Sequence, residues 1–296
     1  MNYLLVRDLD EKAFMLLQMY EPLALQRNDK GYIVGYSGGK DSDALVELFY
    51  RSGVKHHIIH NHTTVDAPET VYYIRRRFKE FEARGQTCEI IWPKQNMFSL
   101  IVERGIFPTR LIRFCCSELK EVKKAEYAHA VYSFGVRKTE SVKRNANRDN
   151  VETRNSIRGK AQLFRFDDYN AKLVSVCYTN NYTVINPMAY WKESDVWAYL
   201  KQCGLTKENI NPLYAEGAKR VGCIGCPMNR KAAADLERYP KFRALYVKAA
   251  QAVIDKRQAR NEKESFQNGE QYIDWWLSGK PVTEYFGYKE AGDGDE

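Results

Sequence analysis

Ser37-Gly38-Gly39-Lys40-Asp41-Ser42 lies between a short apolar run, Gly31 to Tyr36, and an amphipathic stretch, Asp41 to Arg51, that stops near Gly53. The run suits a buried strand and the stretch a helix. Two glycines let the backbone turn sharply and bring its N–H groups close to a ligand. The helix beyond adds unpaired amide donors and the positive end of its dipole. Ser37 and Ser42 can donate hydroxyl protons to an anion and Lys40 offers a point charge, whereas Asp41 suits a magnesium ion or a helix cap. The spacing does not fit GxxxxGK followed by Ser or Thr, so a standard P-loop is disfavoured. The plain alternative is a Gly-Gly turn with a Ser/Asp cap.

The pattern repeats downstream. Lys55 to Asn61 reads as a second strand, and Asp66-Ala67-Pro68-Glu69 starts a helix that reaches about Arg84. Glu89 to Trp92 and Ala130 to Gly135 read as strands, with a helix after Cys115 between them. Leu9 to Gln26 reads as an N-terminal helix. This alternation predicts an α/β fold, a doubly wound parallel sheet with helices on its faces. Residues 136–165 lack clean periodicity and read as a long loop or a mobile substrate-facing segment. Tyr182 to Asn186 reads as a strand before the helix Glu193 to Gln202. From Ala232 onward the chain reads as mostly helix, with Trp275-Trp276-Leu277 as an apolar anchor and a frayed AGDGDE tail. The division expected is a nucleotide-binding domain over 1–180 and, over 181–296, a mostly helical extension that completes the sheet.

With 296 residues, 44% of them hydrophobic, a sizeable core is within reach, and no apolar run reaches the length of a membrane span. The acids in MNYLLVRDLDEKAF disfavour a secretory signal, so a cytoplasmic location is the expectation. Between Gly135 and Arg165 nine lysines and arginines stand against three acids, a cluster that attracts polyanions or is simply a solvated loop.

The seven cysteines form an odd set, which disfavours a disulfide framework. Cys115-Cys116 and Cys223-x-x-Cys226 form two pairs that folding can join into one four-sulfur site. Arg113, Lys120 and Arg220 favour the thiolate forms there. Zinc, an iron–sulfur cluster or no metal all remain open on these residues alone. Cys88, Cys177 and Cys203 read as small buried hydrophobes. His56, His57, His60 and His62 straddle a strand and alternate faces, which argues against one metal tract, and His129 reads as structural.

Ser37 to Ser42 resembles the pyrophosphate-binding loop of the adenine nucleotide α-hydrolase superfamily. The wider pattern resembles the phosphoadenylyl-sulfate (PAPS) reductase family, and within it the Dnd-type DNA phosphorothioation enzymes. The matching pieces are Asp66-x-Pro68-Glu69-Thr70, Arg113-x-Cys115-Cys116, Gly135-Val136-Arg137-x-x-Glu140-Ser141, Asn186-Pro187, Asp195-Val196-Trp197 and Gly222-Cys223-x-x-Cys226-Pro227. The resemblance implies that Gly135, Arg137, Glu140 and Ser141 lie near the nucleotide or acceptor, and that Asn61 and Thr63 border the adenine pocket. It implies catalysis by Lys40, Asp41, Arg137 and Glu140, with ATP or another adenosine nucleotide and Mg2+ held at Ser37 to Ser42. It also implies a 4Fe-4S cluster on Cys115, Cys116, Cys223 and Cys226, with Zn2+ as runner-up.

Three reactions are consistent with that resemblance. ATP can be cleaved to AMP and pyrophosphate to activate an acceptor for sulfur transfer. A sulfonucleotide can be reduced. Or the chain can sense a nucleotide or redox state without turnover. Reductases of this kind attack with a cysteine in a C-terminal Glu-Cys-Gly, and no cysteine follows Cys226 here. The SGG-x-DS turn also looks more like that of the ATP-splitting members, so ATP cleavage is the expectation. Lys143 and Arg144 are further candidate clamps. The expected partners are a nucleic acid, DNA or tRNA, and a sulfur-donor protein such as a cysteine desulfurase.

Overall fold

The computed structural model describes residues 3–121, 124–155, 161–164 and 181–287. Cys177, Arg158, Lys160, Arg165 and the AGDGDE tail lie outside them, as do the side chains of Lys143, Arg144 and Arg154. The chain divides into two compact units, one of residues 1–61, 68–91 and 123–221, the other of 62–67, 92–122 and 222–296.

The first unit holds a seven-stranded sheet. Its strands are β1 (Tyr32–Gly35), β2 (His56–Asn61), β3 (Thr87–Ile91), β4 (Val131–Ser133), β5 (Val151–Asn155), β6 (Ala161–Phe164) and β7 (Asn181–Ile185), in the order β3-β2-β1-β4-β7-β5-β6. The first five in that order run parallel, with Ile33 opposite Tyr132 and Val131 opposite Thr183. The expected α/β class with a parallel sheet is therefore present. Its order reverses between β1 and β4, and that reversal is where open α/β sheets place their ligands. The helices α1 (Tyr3–Arg27), α2 (Lys40–Ser52), α3 (Pro68–Ala83) and α6 (Glu193–Gln202) send apolar residues into one cluster. Leu16, Leu17, Leu45, Leu48, Phe49, Phe81, Tyr199 and Leu200 are among its members.

Two expectations need correcting. Residues 136–165 are not one loop: they contain a short turn at Lys138–Glu140, α5 (Val142–Asn147) and the ribbon β5–β6. That ribbon joins the sheet antiparallel to β7. The alternation was hidden because β5 buries a charged residue, Glu152, which is fully enclosed and held by Asn186 and Arg148 at 2.6 and 2.9 Å. The compact units also do not part at residue 180, because β7 pairs with β4 in the middle of the sheet and the chain through Val221 stays with it.

The second unit is helical: α4 (Met97–Arg104), α7 (Ala232–Arg238), α8 (Pro240–Ala259), α9 (Gly269–Ser278) and α10 (Val282–Phe286). The helix expected after Cys115 is only a wide five-residue turn, Cys116–Lys120. Phe107, Tyr246, Tyr272 and Trp276 form an aromatic core with ring centroids 5.0 to 6.2 Å apart, and the Trp276 indole donates to Pro108 O at 2.7 Å. Among the described residues no helix is long and apolar enough to cross a membrane.

Candidate functional site

The loop leaves β1 at Gly35 and enters α2 at Lys40. Gly38 sits at φ +69°, and a Cβ there would meet Ile74 Cγ1 at 2.8 Å, so both conformation and space demand glycine. Ser42 organises the turn from inside. Its buried hydroxyl accepts N–H bonds from Ser37 and Gly39, each at 3.2 Å, and donates to Gly39 O at 2.8 Å. Its proton is thus spent on the loop itself, whereas the sequence had suggested donation to an anion. The Ser37 hydroxyl also reaches Ser42 Oγ, at 3.2 Å.

Lys40 is 1% exposed. Its ammonium donates to Lys219 O at 3.1 Å and pairs with Glu193 at 3.5 Å and Asp41 at 3.6 Å. It is therefore a buried strut with three oxygen neighbours, not the open point charge expected.

The structure brings Asp41 together with the turn after β4. Arg137 Nε donates to Asp41 Oδ1 at 2.6 Å, and its Nη1 to Thr139 Oγ1 at 3.2 Å. Glu140 closes that turn by accepting from Arg137 N at 3.1 Å, and its other oxygen pairs with Arg220 at 3.3 Å. Gly135 permits the approach: a Cβ there would lie 2.8 Å from the carbonyl carbon and oxygen of Asp41. Of the four expected catalytic side chains, Lys40, Asp41 and Arg137 share one ion-pair chain, and Glu140 joins it through the Arg137 backbone amide. Ser141 is exposed, and its carbonyl accepts from Asn145 N at the start of α5.

Asn61 closes β2 in this unit. Thr63 belongs to the second unit, where its hydroxyl takes the Cys223 thiol as donor at 3.5 Å. His56, His57 and His60 each engage through Nδ1 with Val54 O, Thr87 Oγ1 and Tyr36 O, at 2.7 to 3.0 Å.

Several supporting residues escaped the sequence reading. Asn211, fully buried, donates from Nδ2 to Gly38 O and to Thr70 Oγ1, both at 3.0 Å. The Tyr214 hydroxyl accepts the Lys40 backbone N–H at 3.0 Å. Beneath the loop Asp43 accepts from Tyr36 and Tyr73 and faces Arg77 at 3.4 Å. Burial pushes the Asp43 carboxyl up to about 6, with Arg77 opposing the shift. Arg77 also donates to Glu47 at 2.8 Å. The Asn-Pro pair at Asn211-Pro212 is a turn signal, but nothing local says which loop it braces.

In the second unit Cys115, Cys116, Cys223 and Cys226 are half-buried thiols. Cys115 donates to Cys116, which raises the Cys115 thiol and holds Cys116 down to about 6, helped by Lys120 and Arg113. Cys115 also feels the charges of Cys223 and Cys226, so the two pairs converge. Burial, then the Asp66 carboxylate, pushes Cys223 up to about 12. Among the described residues no three of these sulfurs lie within 4.8 Å of one another. Cys88 and Cys203 are partly buried against the sheet unit's core.

A family model for the phosphoadenosine phosphosulfate reductase domain matches residues 31–229. An uncharacterised protein of Methanocaldococcus jannaschii is 24% identical over 245 residues, which make up 80% of this chain and 51% of that protein. The chain thus spans about half the length of that relative. Among solved structures, the PAPS reductase of Candida auris in its phosphate complex aligns at TM-score 0.45 and 16% identity, over 75% of this chain and 96% of that one. The U34-tRNA thiolase NcsA of Methanococcus maripaludis, with its 4Fe-4S cluster, aligns at TM-score 0.42 and 14% identity, over 95% and 91%.

Proposed function

Because the chain belongs to the phosphoadenosine phosphosulfate reductase domain family, we propose that it binds ATP at Ser37 to Ser42 and cleaves it to AMP and pyrophosphate, so activating an acceptor for sulfur transfer. The observation that carries this reading is the loop itself. A glycine turn at a helix N-terminus stands at the reversal of the sheet, with Arg137 drawn onto Asp41 at 2.6 Å.

In the reaction an acceptor oxygen attacks the α-phosphorus, the bond to the bridging oxygen breaks, and pyrophosphate leaves with the negative charge. A sulfur nucleophile then displaces AMP. The positive end of α2 and the Arg137 guanidinium would stabilise the leaving pyrophosphate. Asp41 is the carboxylate to hold magnesium, which when bound would neutralise phosphate oxygens. Lys40 acts from beneath, fixing Asp41 and the first turn of α2. Glu140 positions Arg137 through its backbone amide.

Cys115, Cys116, Cys223 and Cys226 would hold a 4Fe-4S cluster, with Arg113 and Lys120 offsetting its negative charge. Tetrahedral zinc about 2.3 Å from each sulfur needs neighbouring sulfurs roughly 3.8 Å apart. Zn2+ on the same four sulfurs is the runner-up. DNA or tRNA as acceptor and a cysteine desulfurase as sulfur donor complete the proposal, with the basic residues of 137–165 supplying phosphate contacts.

Anaerobically prepared protein is assayed for iron, acid-labile sulfide and pyrophosphate release from MgATP. The expected result is an iron-loaded protein that releases pyrophosphate, with release at least about a hundredfold slower in Asp41→Ala. Sulfite release from adenylyl sulfate or its 3′-phosphate would establish sulfonucleotide reduction instead, and nucleotide binding without turnover would establish a sensor.

A further inference from the structure

Tyr214 stands in the short turn Pro212–Tyr214, which is started by Asn211 accepting from Leu213 N at 3.2 Å. The side chain is 5% exposed. Its ring meets the Trp197 ring edge-on at 5.6 Å, so its direction is fixed by packing. The hydroxyl oxygen accepts the Lys40 N–H at 3.0 Å and would lie 3.3 Å from a Cβ built on Gly39. It therefore sits in the crook of the loop, level with the amides at the start of α2.

A phenol has one proton to give as well as lone pairs to receive. Here a lone pair is taken by Lys40 N–H, while among the described residues the proton has no acceptor. A buried donor left unmatched costs free energy until something accepts it. Burial, then the carboxylates of Asp41, Asp43 and Glu193, raises the phenol, so it stays protonated at neutral pH. An anion seated on the first turn of α2 offers the missing acceptor.

We propose that Tyr214 is a direct ligand of the phosphate group bound at Ser37 to Ser42, donating its hydroxyl proton to an anionic oxygen while its own oxygen orients the Lys40 amide. The role rests on the reading of this loop as a nucleotide site and adds a residue from a segment far along the chain. It makes Tyr214 specific for the charged tail of the nucleotide, not for its base.

The test compares wild type with Tyr214→Phe for binding of inorganic pyrophosphate, ATP and adenosine, alongside thermal unfolding. Phenylalanine keeps the ring contact with Trp197 and removes the hydroxyl, which is both the donor and the acceptor of the Lys40 amide. A hydrogen bond to a charged group corresponds to about a tenfold or greater loss for pyrophosphate and ATP. Adenosine affinity is expected to change less than about twofold. Pyrophosphate affinity that is unchanged, or tighter because the Lys40 amide has been released, overturns the proposal, and so does an equal loss for adenosine. Should Tyr214→Phe fail to fold, 3-fluorotyrosine at 214 keeps the hydroxyl and strengthens it as a donor. Tighter pyrophosphate binding is then expected, and no change overturns the role.

The two readings fail separately. Wild type that binds pyrophosphate but never releases it from ATP ends the ATP-cleavage reading and leaves Tyr214 testable. Wild type that splits ATP while Tyr214→Phe binds pyrophosphate normally ends only the role of Tyr214. Wild type that binds neither pyrophosphate nor ATP ends both.

Discussion

Around the Ser37 to Ser42 loop the fixed points are protein groups. Gly38 O is held by Asn211, Gly39 O by Ser42, the Lys40 amide by Tyr214 and the Asp41 carboxylate by Arg137. At Cys115 and Cys116 the strongest influence is their own hydrogen bond. Cys115 is raised by its hydrogen bond to Cys116 and by the charges of Cys223 and Cys226. Burial holds Cys223 protonated. The first site is shaped by folding alone. In the second, ligation would require thiolates that the surroundings disfavour at Cys115 and Cys223, so metal binding would have to supply the free energy of deprotonation there.

That contrast can be broken most decisively at Cys223. Cys223→Ser is expected to abolish iron retention, taking the content from about four atoms per chain to below one. Iron analysis and the visible spectrum read this directly, and full iron in the variant would remove Cys223 from the ligand set. Pyrophosphate binding to the same variant is expected to be retained.

Arg77→Ala is the next largest effect. It leaves Asp43 buried without its guanidinium, while Glu47 keeps Arg84 at 2.9 Å, a loss of about 3–5 kcal/mol in denaturant unfolding. A loss below about 1 kcal/mol would show that the loop's foundation tolerates an unpaired charge. Asn211→Ala strands Gly38 O and Thr70 Oγ1, and about 2–3 kcal/mol is expected by the same measurement. Pyrophosphate affinity should fall with it, because the loop's shape rather than a ligand contact is lost.

The smallest effect concerns pH. Burial pushes the Glu152 carboxyl from an ordinary 4.5 up to about 7, against Arg148 and Asn186, with Asp149 adding to the rise. The folded protein therefore holds this proton more tightly than the unfolded chain. Its contribution is complete below about pH 4.5 and is lost as pH rises through about 7. Glu152→Gln should flatten the stability profile between about pH 4.5 and 7. Asp43, displaced upward to about 6, keeps a residual slope in the same direction. An unchanged pH profile in the variant would assign the whole slope to Asp43 and other groups.

What could be read in the sequence was local. The strand, the glycine turn and the helix from Tyr32 to Ser52 are contiguous, and each signals its own conformation. The cysteine pairs were visible because few other roles explain Cys115-Cys116 beside Cys223-x-x-Cys226. Asn211 and Tyr214 were invisible as loop residues because their partners lie 173 and 174 positions away. The β5–β6 ribbon was missed because a buried Glu152 breaks the alternation of apolar and polar residues that marks a strand. The interleaving of the two units was missed because residues 62–67 and 92–122 leave one unit and return without any linker composition.

Asn211 gives two hydrogens from a single amide, one to Gly38 O at the turn and one to Thr70 Oγ1 in the first turn of α3. The turn and the helix beside it are thereby riveted at a common joint, so an anion bound at the turn, on the proposed reading, would meet a loop already braced. Anion binding should proceed as a single kinetic phase, with a rate that rises linearly with pyrophosphate concentration and reaches no plateau from slow loop ordering.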